Sequence, residues 1–346
     1  MLQLHNTSPF VPTIFALADR RGVDTLIAVV KATFELGAVV EIAAEQRPIT
    51  LEDEYFGDPT ASSLRYPSAV HLQKPGTDVI LIGDACAPRG QAVPELDVAL
   101  CVADRSKLIR VHGDRFWDQG LRAVQPSRAQ PFVRVPIVYE RAFGGRQVGD
   151  TGSGLADLRN PVGVGFGAGQ SVGEMLGQPV PNFEDPNAPL TALGQTPEPM
   201  GFGAIAPTWQ PRVAFAGTYD ERWRKTRAPY LPDDFDPRYF HVGSRGMTFA
   251  QALRGGEPVA MHGFDPDRSW TFALPRCQLE LIATLAGTTQ RMNPILDTVV
   301  LEPSEARMTM TWRACLAVGE ELLRVQRVDI GLGGIEGAVE YSGGEA

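Results

Sequence analysis

Thr25-Leu26-Ile27-Ala28-Val29-Val30-Lys31-Ala32-Thr33-Phe34-Glu35 decides the class of fold. A β-branched apolar run that ends in polar alternation reads as a strand. Residues 12–17 precede it across the turn Ala18-Asp19-Arg20-Arg21-Gly22, so the pair is expected to form a hairpin. The pattern continues outward. Lys74-Pro75-Gly76-Thr77-Asp78 is turn chemistry that leads into the buried-strand run of residues 79–86, and residues 98–103 and 108–113 form a second hairpin around Asp104-Arg105-Ser106-Lys107. Strand character resumes at residues 213–217, 259–262, 279–286, 298–302 and 307–316, the last two joined across Pro303-Ser304-Glu305-Ala306. Strands about a dozen residues apart suit sandwiches and barrels better than βαβ units. Helix is expected only at residues 220–227, with Thr218 as N-cap and Glu221 as its box partner, and at residues 171–176.

Between the two strand-rich halves the composition changes. From Gly144, 9 of 27 residues are glycine, and Pro179, Pro181, Pro186, Pro189, Pro197 and Pro199 exclude a long helix. Leu155, Leu158, Val162, Val164 and Phe166 are apolar anchors within this stretch, so it is expected to be an ordered loop rather than a linker. A loop of that length inside a compact protein points to function. The expected organisation is an N-terminal half at 1–142, the Gly/Pro connection at 143–206, a C-terminal half at 207–330 sharing a core with the first, and a frayed tail at 331–346.

Composition excludes several classes. With 346 residues, 43% of them hydrophobic, the chain can bury a large core. Its net charge of -9 argues against nucleic-acid binding by general electrostatics, which needs a basic face. The N-terminal residues lack a signal-peptide pattern and no run is long and apolar enough to span a membrane, so a soluble, cytoplasmic protein is expected. Cys86, Cys101, Cys277 and Cys315 are scattered singly, as buried free thiols in a reducing compartment would be. The five histidines never fall at metal-ligand spacing, and Asp233-Asp234-Phe235-Asp236 lacks the glycine and distal glutamate of a calcium loop, so neither a metal nor a cofactor is expected.

Two motifs imitate catalytic signatures. Gly169-Gln170-Ser171-Val172-Gly173 matches a nucleophile elbow, with Asp234 or Asp236 and His241 or His262 following in hydrolase order. A glycine-rich lead-in is not the strand that an elbow needs, which leaves a hydrolase using Ser171, His241 and Asp234 as an alternative reading. Gly163-Val164-Gly165-Phe166-Gly167-Ala168 matches a dinucleotide fingerprint literally but lacks the strand before and the helix after it, and reads as loop. His112-Gly113-Asp114-Arg115-Phe116-Trp117 reads as a turn closed by Asp114 over a packed Trp117. Aromatic and arginine side chains beside the irregular segments have the composition of interface hot spots. Tyr139, Arg141, Phe143, Trp223 and Phe235 are the candidate partner-binding residues.

Lys74-Pro75-Gly76-Thr77-Asp78-Val79, Val111-His112-Gly113-Asp114-Arg115-Phe116-Trp117, Tyr139-Glu140-Arg141-Ala142-Phe143-Gly144-Gly145 and Asn160-Pro161-Val162-Gly163 resemble segments of a bacterial domain-of-unknown-function family encoded in type VI secretion clusters. Gly201-Phe202-Gly203, Gly217-Thr218-Tyr219-Asp220, Leu231-Pro232-Asp233-Asp234-Phe235-Asp236 and Arg254-Gly255-Gly256-Glu257 extend the resemblance over nearly the whole chain. It implies an adaptor or chaperone that binds a secreted effector and helps load it onto a spike of PAAR-repeat and VgrG proteins, with no catalytic residues to carry over. A structural component of the secretion machinery is the further alternative. The expectation is a mainly β protein of antiparallel sheets, sandwich-like or barrel-like, with few short helices.

Overall fold

The computed structural model describes residues 2–121, 123–148, 154–167 and 170–338. It is mainly β, with several antiparallel sheets and no closed barrel among the described residues. Asp24–Leu36 pairs with Val11–Ala18 on one side and with Arg307–Ala317 on the other. The sheet continues through Ile295–Glu302, Thr77–Leu81 and Thr248–Phe249, and Val40–Ile42 adds a seventh strand beside Asp24–Leu36. Thr77–Leu81 lies parallel to Ile295–Glu302 and the other pairings are antiparallel. Leu26, Ile27, Ala28, Val29 and Val30 are all fully buried, because both faces of this strand are covered. That is why its sequence shows a continuous apolar run where a half-wet strand would alternate.

A five-stranded sheet joins Phe183–Glu184, Arg105–His112, Glu95–Val102, Pro258–His262 and Trp270–Ala273. A four-stranded sheet joins Gln3–Asn6, Val325–Glu336, Arg276–Leu285 and Thr288–Met292. Along Arg276–Leu285 exposed and buried positions alternate, so this strand has one wet face. One apolar cluster runs through all three sheets and takes residues from both halves and from the connection, including Leu26, Val102, Phe183, Phe202, Leu281 and Met310. No described helix is long and apolar enough to cross a membrane.

Four local expectations are corrected. Residues 331–336, placed in the frayed tail, complete Val325–Glu336, where pairing with Arg276–Leu285 satisfies their backbone; residues 339–346 lie outside the described residues. Residues 213–217, read as strand, begin in the 3-10 turn Arg212–Phe215, which follows Pro211 in helical geometry. The run at 79–86 is broken between Thr77–Leu81 and Asp84–Cys86, which pairs instead with Arg134–Pro136. The helix Glu221–Thr226 is capped by Asp220, whose side chain accepts from Trp223 N, two residues after the expected cap Thr218.

The Gly/Pro connection is packed around residues 142–145, 157, 160 and 180–184 and one asparagine organises it, whereas Leu155 and Leu158, read as apolar anchors, are 60% and 59% exposed, because they lie in a surface part of the loop. Asn160 is fully buried, and its Nδ2 donates to Tyr139 O at 2.8 Å and Phe143 O at 2.9 Å. Gly145 N donates to Asn160 O at 2.8 Å. Gly144, at φ 145°, passes so close that a Cβ there would lie 2.1 Å from Asn160 O, so no larger residue fits. Two separate motifs, residues 139–145 and 160–163, are thus the two sides of one clasp. Residues 149–153 and 168–169 of the connection, Gly169 of the apparent elbow and Ala168 of the apparent fingerprint among them, lie outside the described residues.

Candidate functional site

The chain places a cluster of opposite charges where Thr77–Leu81, Ile295–Glu302 and Arg307–Ala317 lie side by side. Lys74 is 1% exposed and donates to Asp78 Oδ2 at 2.7 Å and to Thr298 Oγ1 at 2.9 Å. Asp297 Oδ2 is 3.8 Å from the same ammonium. The fully buried Arg313 donates to His71 O and Ala69 O, each at 2.8 Å, and its Nε stands 3.5 Å from Asp297 Oδ1. Asp78 also accepts from Val242 N at 2.8 Å, Thr248 Oγ1 at 2.9 Å and His241 Nδ1 at 3.0 Å. Burial alone would raise the Asp78 carboxyl, yet the Lys74 ammonium and the His241 contact hold it well below the usual carboxylate range. Burial likewise opposes ionisation of Asp297, and Lys74 and Arg313 reverse it.

His71 sits in the same cluster as a neutral ring. Its Nε2 is 3.0 Å from Arg313 Nη2, an obligatory donor, and its Nδ1 is 2.6 Å from Leu72 O, so the Nδ1–H tautomer satisfies both. Burial pushes its pKa down to about 3. A group whose folded pKa lies below its unfolded value makes the unfolded chain bind more protons in between, and stability then rises with pH across that window. Unfolding free energy is therefore expected to fall by about 1.4 kcal/mol per pH unit below an unfolded histidine pKa of about 6.5. Below about pH 4 the slope steepens as the unfolded-state carboxyls of Asp78 and Asp297 protonate. Urea titrations at successive pH values check this, and His71→Gln should flatten the upper limb.

His241 connects the charge cluster to a cavity of about 500 Å³. Asp78 occupies its Nδ1, which leaves Nε2 as the free ring nitrogen. Ile205, Pro211 and Phe215 give the wall a mostly apolar character, and the connection contributes Arg159, Glu198 and Pro199. Three of the lining arginines are engaged. Arg159 holds Asp157 through Nε at 2.9 Å and Nη2 at 2.5 Å, Arg238 holds Asp236 at 2.9 and 2.6 Å, and Arg245 lies 3.6 Å from Glu198. Arg212 differs. It is 9% exposed, donates to the backbone carbonyls of Tyr239 at 3.0 Å and Ile205 at 2.6 Å, lies 5.2 Å over the Tyr239 ring, and has no carboxylate within ion-pair distance among the described residues. Behind Gly243 and Arg245, Lys107 donates to Ser244 Oγ at 3.0 Å, and burial lowers its pKa to about 7.

The structure separates the sequence candidates. Tyr139, Phe143 and Phe235 are 2–3% exposed and belong to the interior, which corrects their reading as surface anchors. Tyr139 packs edge-on against Trp209, and Phe235 against Tyr239 and Phe240. Tyr139 keeps one link with the site, since it lines the cavity. Arg141 is half-buried and bonds Asp114 at 3.0 Å and Asn182 at 3.4 Å. Asp114 accepts from Arg141 and from Asn182 Nδ2 at 3.1 Å rather than closing a local turn, and Arg115–Gln119 is a strand, which corrects the reading of 112–117 as a turn; Trp117 does pack, with Val124, Met175, Val180 and Leu190. Trp223 is half-buried, with its Nε1 on Tyr230 O at 2.9 Å and its ring 4.8 Å from the exposed Tyr219.

The alternative Ser171, His241 and Asp234 are not brought together. Ser171 caps the helix Val172–Met175 in a capping box with Glu174, His241 is held by Asp78, and Asp234 accepts from Thr218 N and Oγ1 at 2.9 and 2.7 Å. The remaining aspartates of that run are also turn residues. Asp236 caps Pro237–Phe240, and Asp233 lies 3.1 Å from Arg227 Nε. No three described His, Cys, Asp or Glu residues are grouped to hold a metal ion. The four cysteines are free; Cys86 is buried and the others half-buried, and burial pushes Cys277 up to about 12 and Cys315 up to about 11. Arg212 and His241 come together with Asp78 only through tertiary contact. Pro211-Arg212 beside Trp209 was the one local signal.

A model of a family described as uncharacterized and conserved in bacteria, DUF2169, matches residues 21–313. No curated protein and no solved structure matches the chain.

Proposed function

The chain belongs to DUF2169, a family of uncharacterized proteins conserved in bacteria, and we propose that it is a polypeptide-binding adaptor. In this reading it works in the bacterial cytoplasm, binds a secreted effector and helps load it onto a PAAR/VgrG spike. The role comes from the sequence resemblance, and one observation supports binding as the activity. The irregular connection and the 205–248 segment wall an ordered cavity of about 500 Å³ whose surface is mostly apolar by area, with four arginines, Glu198 and His241 in the lining. Preformed apolar cavities with sparse polar groups are the common form of ligand site. Outside its lining, Tyr219 and Trp223 form an aromatic pair within the same 205–248 segment, where Trp223 lines a separate groove with Thr218, Arg227 and Pro232.

Affinity capture with the full chain from cells assembling the secretion machine tests the proposal. An effector encoded beside the chain is expected in the eluate, and Trp223→Ala should weaken its capture about thirtyfold, the equivalent of a hot spot of about 2 kcal/mol. Capture of no effector under conditions where the spike assembles would contradict the role.

A further inference from the structure

The lining of the cavity carries a charge imbalance that its own residues do not resolve. Of the five N–H donors of a guanidinium, Arg212 uses Nε and one hydrogen of Nη1 on backbone carbonyls. Three remain without an acceptor among the described residues, on a cation that is 9% exposed. Removing such a group from water with no carboxylate at ion-pair distance is costly, and its pKa shifts downward through burial although Asp53 and Asp78 act on it from farther off. Arg159, Arg238 and Arg245 each have a carboxylate partner, so the surplus in the wall is a single positive charge on Arg212.

We propose that this cavity is a carboxylate site, which takes an apolar group bearing one carboxylate with Arg212 as its counter-charge. The N–H groups that Arg212 keeps on Nη1 and Nη2 can donate to the oxygens of a carboxylate. His241 gives its Nδ1–H to the Asp78 carboxylate, which leaves Nε2 as an acceptor for an N–H or O–H group of the ligand rather than for its carboxylate. A dianion such as phosphate would leave a buried negative surplus here, whereas one carboxylate cancels the unpaired charge. Ile205, Pro211 and Phe215 provide contact for the apolar body. The inference rests on the adaptor reading only for the source of the carboxylate: the chain end of a client, held as terminal carboxylates are held elsewhere, or a free organic acid.

Calorimetric titration of the full chain with matched probes tests it. One pair is 4-phenylbutyrate and its neutral amide; the other is the acetylated tripeptide Gly-Leu-Phe with a free or an amidated C-terminus. The acid of at least one pair is expected to bind tenfold or more tighter than its amide. Arg212→Gln should abolish that preference, and Phe215→Ala, which leaves the guanidinium in place, should weaken acid and amide alike. Binding of the peptide acid assigns the site to a chain end. Binding of the small acid alone supports the site as one for free organic acids, and the adaptor role would then need another surface. Equal affinity of acid and amide in both pairs, or no binding of any probe at millimolar concentration, overturns the proposal. The comparison on the unaltered protein decides even if a variant fails to fold.

Discussion

Lys74→Met is expected to lower the free energy of unfolding by about 3–5 kcal/mol, the cost of breaking a buried ion pair by removing one partner. Lys74 and Arg313 together balance Asp78 and Asp297 in a region 0–2% exposed. Without the ammonium, Asp78 retains Val242 N, Thr248 and His241, and Asp297 retains Arg313, but the interior carries an uncompensated negative charge. A typical domain is stable by about 5–15 kcal/mol, so the loss is a large fraction of the whole. Urea denaturation measures it. Adding Asp78→Asn to Lys74→Met should recover part of the loss, because the second change removes the stranded charge. A change below about 1 kcal/mol for Lys74→Met alone would show that water reaches the cluster and screens it.

Phe143→Ala is expected to cost about 3–5 kcal/mol, as truncation of a buried phenylalanine does. The ring is 2% exposed and lies between the Asn160 clasp and the Arg159 guanidinium, which sits 5.8 Å from its centroid. Arg141→Ala, two residues away, should change stability by no more than about 1 kcal/mol, because its pair with Asp114 is well exposed. Thermal or urea unfolding of the two variants separates them. The contrast matters for interpretation: loss of client capture by Phe143→Ala would report a damaged fold, whereas loss by Arg141→Ala would report a contact. Equal and small effects would mean that the connection is not packed as described.

Local pairing was legible in the sequence, and long-range pairing was not. The hairpins at 11–36, 95–112 and 295–317 follow from apolar runs flanking short turns, and each lies within a few dozen residues of chain. The parallel neighbours Thr77–Leu81 and Ile295–Glu302 come from opposite ends of the sequence, and no local pattern encodes their meeting. The same limit hid the site. Asp78, Arg212 and His241 belong to three separate segments, and Lys74-Pro75-Gly76-Thr77-Asp78 revealed its charge cluster only once Asp297 and Arg313 were beside it. Tyr139, Phe143 and Phe235 were misplaced because large aromatics supply both cores and interfaces, so composition cannot separate the two. The glycines at 144 and 145 were informative for a different reason. Their positive φ and close approach to residues 160–163 fix an ordered clasp.

The central claim is that the cavity between the Gly/Pro connection and residues 205–248 receives the client. Hydrogen–deuterium exchange of the full chain, alone and in the captured complex, tests it most directly. Slowed exchange is expected at backbone amides of residues 205–216 and 238–245 when the client is bound. Protection confined to other surfaces, with exchange at these residues unchanged, would contradict the claim.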